Sequence, residues 1–288
     1  MTLESQRGAA AAPDDPYAWA GDRVAEERRL IEQSRLIEPF TEECLREAGL
    51  GLGMHVMDLG SGAGDTAILA ARLVGPTGSV LGIERSSEQA DLARRRIAAM
   101  GLDNVTFHVG DVAGLEELVA AHRTQIDAVI GRLILMWVPQ RQAVLHACSR
   151  ALRPGTLVWF LEPDMTYDYA LPSSPLWDRM RTWVLAALDR LGAQLRMGPT
   201  LHQAFREAGL PAPTLRSRTI LSGAETAPVW FAVNIVRAIV PHMETFGLGT
   251  SSEVDIETLE DRLRAELEAN DGVMFIPPLF AAWTRVPG

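Results

Sequence analysis

The chain has 288 residues, of which 47% are hydrophobic, and a formal charge of −10. That is enough apolar material for one large core, or a core plus a cap, while no apolar run approaches the roughly 20 residues of a membrane span. The acidic balance opposes binding of a phosphate backbone as the main task.

All 27 basic residues are arginine. Chemistry that needs a lysine is therefore excluded: no Schiff base, no P-loop lysine, no pyridoxal phosphate anchor. Two cysteines, Cys44 and Cys148, are too few for a disulfide framework. The N-terminus lacks the basic-then-apolar order of a signal peptide, so a cytoplasmic protein is expected.

Residues 1–16 are rich in Ala, Pro and Asp, and no regular structure is expected there. Asp22–Leu36 reads as a charged amphipathic helix and Phe40–Ala48 as a second one, separated by Pro39. From residue 55 the pattern alternates. Short apolar strands are expected at His55–Leu59, Ser79–Ile83, Val105–Val109, Asp127–Ile130 and Thr156–Leu161. Helices are expected between them at Thr66–Leu73, Ser87–Met100, Ala113–Ala121 and Arg141–Leu152. Such alternation implies βαβ units, a parallel sheet and right-handed crossovers.

After Asp164 the alternation stops. Ser174–Leu191 reads as a helix with Trp177, Trp183, Leu185 and Leu188 on its core face, and Leu201–Ala208 as another. Thr214–Leu221 reads as a strand, Pro228–Met243 and Asp255–Ala269 as helices. Val273–Val286 is a last apolar strand, interrupted by Pro277-Pro278 at an edge or a bulge. The expected fold class is α/β: a doubly wound, mostly parallel, seven-stranded Rossmann-like sheet with an N-terminal helical lid and helical insertions forming a cap. Three regions follow: a tail and lid over 1–50, a cofactor-binding core over 51–165, and cap insertions with the last two sheet strands over 166–288.

The first strand runs into Gly60-Ser61-Gly62-Ala63-Gly64-Asp65, and a helix follows at once. Three glycines at this spacing mark positive φ or the close approach of another molecule. In doubly wound sheets a ligand sits outside the carboxyl ends of the strands, at the switch point. Glu84 ends the second strand, about twenty residues beyond the loop, where an acidic side chain accepts from ribose hydroxyls. Asp111 ends the third strand, where it can accept from an adenine amine. The third glycine comes one residue earlier than in a dinucleotide loop, and Asp65 occupies the place that pattern reserves for glycine. Asp58 and Asp65 add negative charge where a pyrophosphate needs none. The loop therefore favours a cationic sulfonium cofactor, S-adenosylmethionine, over NAD.

With those residues in view, the chain resembles the class I S-adenosylmethionine-dependent methyltransferases over roughly residues 35–165. The motifs that carry the resemblance are Val56-Met-Asp-Leu-Gly-Ser-Gly-Ala-Gly64, Gly82-Ile-Glu-Arg85, Gly110-Asp-Val112, Asp127-Ala-Val-Ile-Gly-Arg132 and Leu152-Arg-Pro-Gly-Thr-Leu157. The resemblance implies that Asp58, Gly60, Ser61, Gly62 and Gly64 pass beside the cofactor, that Glu84 binds ribose with Arg85 beside it, and that Gly110, Asp111 and Val112 meet the adenine. Gly131-Arg-Leu-Ile134 would line the sulfonium end. Gly131-Arg-Leu-Ile-Leu-Met136 and Phe160-Leu-Glu-Pro-Asp164 are further similar to bacterial methyltransferases of small molecules, often in specialised metabolism. No Asn-Pro-Pro-Tyr-type tetrapeptide follows the fourth strand, which lowers a nucleic-acid substrate.

The expected reaction is SN2 methyl transfer to an O, N or C atom of a small, apolar or aromatic acceptor, driven mainly by positioning. Glu162, Arg132 and His202 are the candidate catalytic groups: Glu162 and Arg132 sit at the cofactor edge of the sheet, and His202 lies in an added helix. Arg132 can alternatively hold the cofactor carboxylate. Gln33, Tyr17 and Trp19 belong to the segment before the core, which in this fold closes over the cofactor. Tyr17, Met136, Trp137, Trp183 and His242 are candidates for the acceptor pocket. No metal-site spacing appears. Two alternatives remain open: a methyltransferase-like binding module or cyclase that keeps the cofactor without moving the methyl, and a nicotinamide-dependent oxidoreductase, which Asp65 and the missing lysine disfavour. The 228–269 insertion either covers the pocket or forms a homodimer contact.

Overall fold

The computed structural model describes residues 23–122, 125–167 and 169–288, with side chains from residue 31 onward. Tyr17 and Trp19 lie outside the described residues.

The core alternates as its apolar runs require. Strands β1 (His55–Leu59), β2 (Ser79–Glu84), β3 (Val105–Val109), β4 (Ala128–Arg132) and β5 (Leu157–Pro163) alternate with helices α2 (Asp65–Val74), α3 (Ser87–Met100), α4 (Leu115–Ala121) and α5 (Arg141–Ala151). A single 3₁₀ turn, Val112–Gly114, leads into α4. The expected bounds differ from these by a residue or two. Helix α3 is closed by local chemistry at both ends: Ser86 Oγ accepts from the Gln89 N–H at 3.3 Å, and Gly101 takes the left-handed conformation at φ 65°.

The large sheet has seven strands in the order β3-β2-β1-β4-β5-β10-β7, where β7 is Thr214–Arg218 and β10 is Leu279–Arg285. Strands β1 to β5 are parallel, and β10 runs antiparallel to both β5 and β7. Every residue of β5 is buried, as a central strand covered on both faces demands. Its alternate side chains feed two cores. Trp159 and Leu161 join Ile37, Phe40 and Leu45 on one face; Val158 and Phe160 join Leu145, Leu201 and Val236 on the other.

The sequence-based expectation fails in three places. Two N-terminal helices were expected around Pro39, but α1 (Arg23–Glu47) is one helix with Pro39 inside it. Ile37, Phe40, Thr41, Cys44 and Leu45 are all buried on one helical face. That continuous packing outweighs the roughly 3 kcal/mol that an internal proline costs. The Val273–Val286 segment is likewise not one strand. It divides at Pro277-Pro278 into β9 (Val273–Phe275) and β10, which belong to different sheets. Thr214–Leu221 divides in the same way, into β7 and β8 (Leu221–Gly223). Strands β6 (Ala170–Leu171), β9 and β8 form a separate three-stranded antiparallel sheet. Proline cannot donate to a ladder, so the pair stands where the chain leaves one sheet for the other.

The cap is built from α6 (Pro175–Arg190), α7 (Met197–Glu207), α8 (Val229–Met243), α9 (Ser251–Val254) and α10 (Leu259–Ala269). Trp177, Trp183 and Leu188 of α6 are buried, as their spacing suggested. Among the described residues no helix is long and apolar enough to cross a membrane.

Candidate active site

The strand order reverses between β1 and β4, and a cavity of about 360 Å³ opens at their carboxyl ends, where a doubly wound sheet binds its ligand. Its floor is the glycine loop. Gly60, Gly62 and Gly64 have φ of 66°, 52° and 87°, so each needs the left-handed conformation that glycine supplies. Gly60 is also crowded from within: a Cβ there would lie 2.3 Å from Ile134 Cδ1. Gly60, Ser61 and Gly62 line the cavity. Gly64 instead turns toward Phe107 and Ala93 and caps α2.

Glu84 braces this loop from the end of β2. One carboxylate oxygen accepts from the Gly62 N–H at 2.8 Å and the other from the Ser86 N–H at 2.9 Å. Burial raises its pKa, against the pull of those N–H groups. Arg85, Gly110, Asp111 and Val112 join it on the cavity wall. Asp111 accepts from the Ala113 N–H at 2.8 Å, which fixes its carboxylate at the start of the 3₁₀ turn.

Charge around the loop is more balanced than the sequence suggested. Asp65 lines the cavity but is paired with Arg96 at 2.6 Å. Asp58 lies beneath the loop, 1% exposed and outside the cavity lining. Burial pushes its carboxyl up to about 8, and Arg132 opposes that shift. Three buried polar atoms here have no hydrogen-bond partner among the described residues: Asp58 Oδ2, Ser61 Oγ and Arg132 Nη1. Arg132 itself lines the cavity, and its other terminal nitrogen donates to Ser34 Oγ at 3.0 Å. Ser34, Gln33 and Ile37 bring α1 over the cofactor end, the position expected of Gln33.

The opposite end is apolar. Met136, Trp137, Met165, Leu188 and Pro277 line it together with Phe231, Ile235 and Ile239 of α8. The α8 residues recur at i, i+4 and i+8, one helical face. Met136 and Trp137 were expected here. Trp183 and His242 are not among the lining residues; Trp183 is buried in the core behind, and His242 stacks on Phe246 at 5.7 Å. His202 is exposed on α7 and does not line the cavity either. The α8 face escaped sequence reading because periodicity marks a buried stripe without saying whether a core or a cavity covers it.

Glu162 lies behind the wall, fully buried. Its carboxylate accepts from the N–H groups of Ile134, Leu135 and Met136, at 3.0, 2.7 and 3.2 Å. Burial pushes its carboxyl up to about 8, against those three bonds.

A family profile described as a methyltransferase domain matches residues 50–204, more than half of the chain. An arsenite methyltransferase of Halobacterium salinarum is 37% identical over 108 residues, covering 38% of this chain and 27% of that protein. A ubiquinone/menaquinone biosynthesis C-methyltransferase of Pseudomonas putida is 28% identical over 198 residues, covering 64% of this chain and 75% of that protein. The matches therefore span about a third or less of the arsenite methyltransferases' own length. A solved candidate methyltransferase from Bacillus halodurans shares the fold with a TM-score of 0.56 at 16% identity, covering 86% of this chain and 99% of that one. On that profile match over residues 50–204, the chain belongs to the class I S-adenosylmethionine-dependent methyltransferases.

Proposed function

We propose that the chain methylates a small, apolar or aromatic molecule held at the far end of the cavity. The observation that carries this reading is the continuity of the cavity itself. One end is bounded by the glycine loop, Glu84 and Asp111, the other by Phe231, Ile235 and Ile239, with no partition between them.

The residues present fit S-adenosylmethionine. Its amino-acid end carries an ammonium and a carboxylate, and the cavity wall offers an unpartnered buried hydroxyl on Ser61 and an unpartnered buried guanidinium nitrogen on Arg132. Glu84, with Arg85 beside it, would hold the ribose; Asp111, with Gly110 and Val112, would hold the adenine. When bound, the cofactor supplies an activated methyl on a sulfonium. The protein's share is to exclude water and to aim the acceptor. Ser34 and Ile37 of α1 line the same cavity as the glycine loop, and so do Ile134, Met136 and Trp137. Holding two reactants in line can supply most of the acceleration of such a transfer.

Among the described residues, the ionisable groups lining the cavity are Asp65, Glu84, Arg85, Asp111 and Arg132, all at the cofactor end. A proton-bearing acceptor would need a base only if its proton must leave. The reading therefore favours acceptors whose attacking atom is already free of a proton.

Thermal midpoints measured with S-adenosylmethionine, S-adenosylhomocysteine and NADH in parallel test it. Ligand at a hundred times its dissociation constant adds about 2.7 kcal/mol, a rise of roughly 5 °C for a chain this size. A rise with the adenosyl ligands, followed by a gain of one methyl mass on an apolar acceptor, supports the reading. A rise with NADH alone overturns it.

A further inference from the structure

The segment that joins β4 to α5 lines the cavity from Leu133 to Val138, and its backbone is held in an unusual way. Leu133 has φ 57°, a conformation that a branched side chain rarely adopts. Its N–H still donates to the Leu161 carbonyl at 2.8 Å, continuing the ladder between β4 and β5. The next three N–H groups leave the ladder altogether. They turn inward and converge on one carboxylate, Glu162, the first two on Oε1 and the third on Oε2. The turn then closes on itself: Trp137 N–H donates to the Ile134 carbonyl at 2.9 Å and Gln194 N–H to the Met136 carbonyl at 2.7 Å.

Among the described residues, every hydrogen bond of the Glu162 side chain is thus with a backbone donor of this turn, Arg141 adding only its charge, and the side chain does not line the cavity. A group so placed cannot reach a proton on an acceptor, because a base must come within hydrogen-bond distance of it. It can set where Ile134, Met136 and Trp137 stand. Ile134 packs over Gly60, and Met136 and Trp137 face the cavity. We propose that Glu162 is a positioning residue: by gathering three successive amides it holds the Leu133–Val138 turn in its left-handed entry, and so fixes where Ile134, Met136 and Trp137 stand in the wall of the cavity. The functional part of this statement rests on the methyltransferase reading above; the structural part does not.

Residue-resolved amide hydrogen exchange and S-adenosylhomocysteine titration, on the full chain and on two variants, test it. In Glu162→Gln the remaining oxygen can keep the Ile134 and Leu135 N–H groups, but the new NH₂ faces the Met136 N–H, donor against donor. Exchange at Met136 should quicken about tenfold or more, with Ile134 and Leu135 less affected, and the ligand should bind about fivefold more weakly. Glu162→Leu removes all three bonds, so all three amides should exchange faster still. Leu263→Ala, in α10 and away from the turn, is the control: it lowers stability without changing exchange at residues 134–136 relative to the rest of the core. Unchanged exchange at the three amides in Glu162→Gln overturns the proposal, and that variant decides the matter if Glu162→Leu does not fold. Failure of the unaltered chain to bind S-adenosylhomocysteine would instead overturn the functional reading, leaving the exchange result to stand on its own.

Discussion

Arg132 on β4 donates to Ser34 Oγ on α1 at 3.0 Å, across 98 residues of sequence. This bond ties the helix that covers the cofactor end to the strand that forms its wall. Ser34 is 3% exposed, so Ser34→Ala would leave a second nitrogen of a buried guanidinium without a partner. The expected cost is about 1–3 kcal/mol of stability. S-adenosylhomocysteine should also dissociate faster, because α1 loses its tie to the wall. Thermal unfolding and stopped-flow release of the ligand check both effects.

Glu84 is asked to do two things, and one substitution separates them. Glu84→Gln keeps an acceptor for one backbone N–H but loses the charge that suits two ribose hydroxyls. S-adenosylhomocysteine should bind about tenfold to a hundredfold more weakly, the value of one or two charge-assisted bonds. The melting temperature of the free protein should fall by only a few degrees. A titration with unchanged affinity would remove Glu84 from the ribose site.

The buried carboxyl of Asp58 gives stability a definite pH dependence. It is raised to about 8 by burial, so it holds its proton more tightly in the folded chain than in the unfolded one. The stability linked to that proton is complete below about pH 4 and is lost as pH climbs toward 8. The slope is at most about 1.4 kcal/mol per pH unit. Asp58→Asn, which cannot ionise, should flatten part of that decline. Chemical denaturation at several pH values between 4 and 9 measures it.

Ile235 faces the apolar half from α8. Ile235→Trp should fill that half while leaving the glycine loop untouched. S-adenosylhomocysteine affinity should stay within about twofold, whereas turnover of an acceptor found by mass screening should fall about tenfold or more. Equal loss of both would mean that the two halves are not separate sites.

The cofactor end was legible in the sequence because its determinants are local. A strand that ends in glycines of positive φ, or in an acidic side chain that braces the turn, leaves its mark within ten residues. Gly60, Gly62, Glu84 and Asp111 all line the cavity at the strand ends. Asp65 is the instructive exception: its charge was visible, but its partner Arg96 lies a helix away, so the field at the loop was misjudged. The acceptor end was much less legible. Trp183 and His242 looked suitable by type, yet the cavity faces Phe231, Ile235 and Ile239, because the seating of α8 against α6 decides which stripe is exposed to it. Glu162 was noticed for its place and misread in its contacts, since no spacing in the chain foretells that three amides 26 to 28 residues earlier will turn toward it.

Strand β10 lies between β5 and β7 in the large sheet, and this has a consequence for the order of assembly on the ribosome. Strands β1 to β5 can pair in chain order as they emerge, so the glycine loop that floors the cavity would be complete early. Strand β7 has no partner until residues 279–285 are made, some sixty residues later. Ile276, Pro277 and Leu279, which close the apolar wall, arrive with them. A nascent chain would thus acquire its grip on the adenosyl group before it has anywhere to keep an acceptor, and the exposed flank of β5 is the surface that needs protecting in the interval.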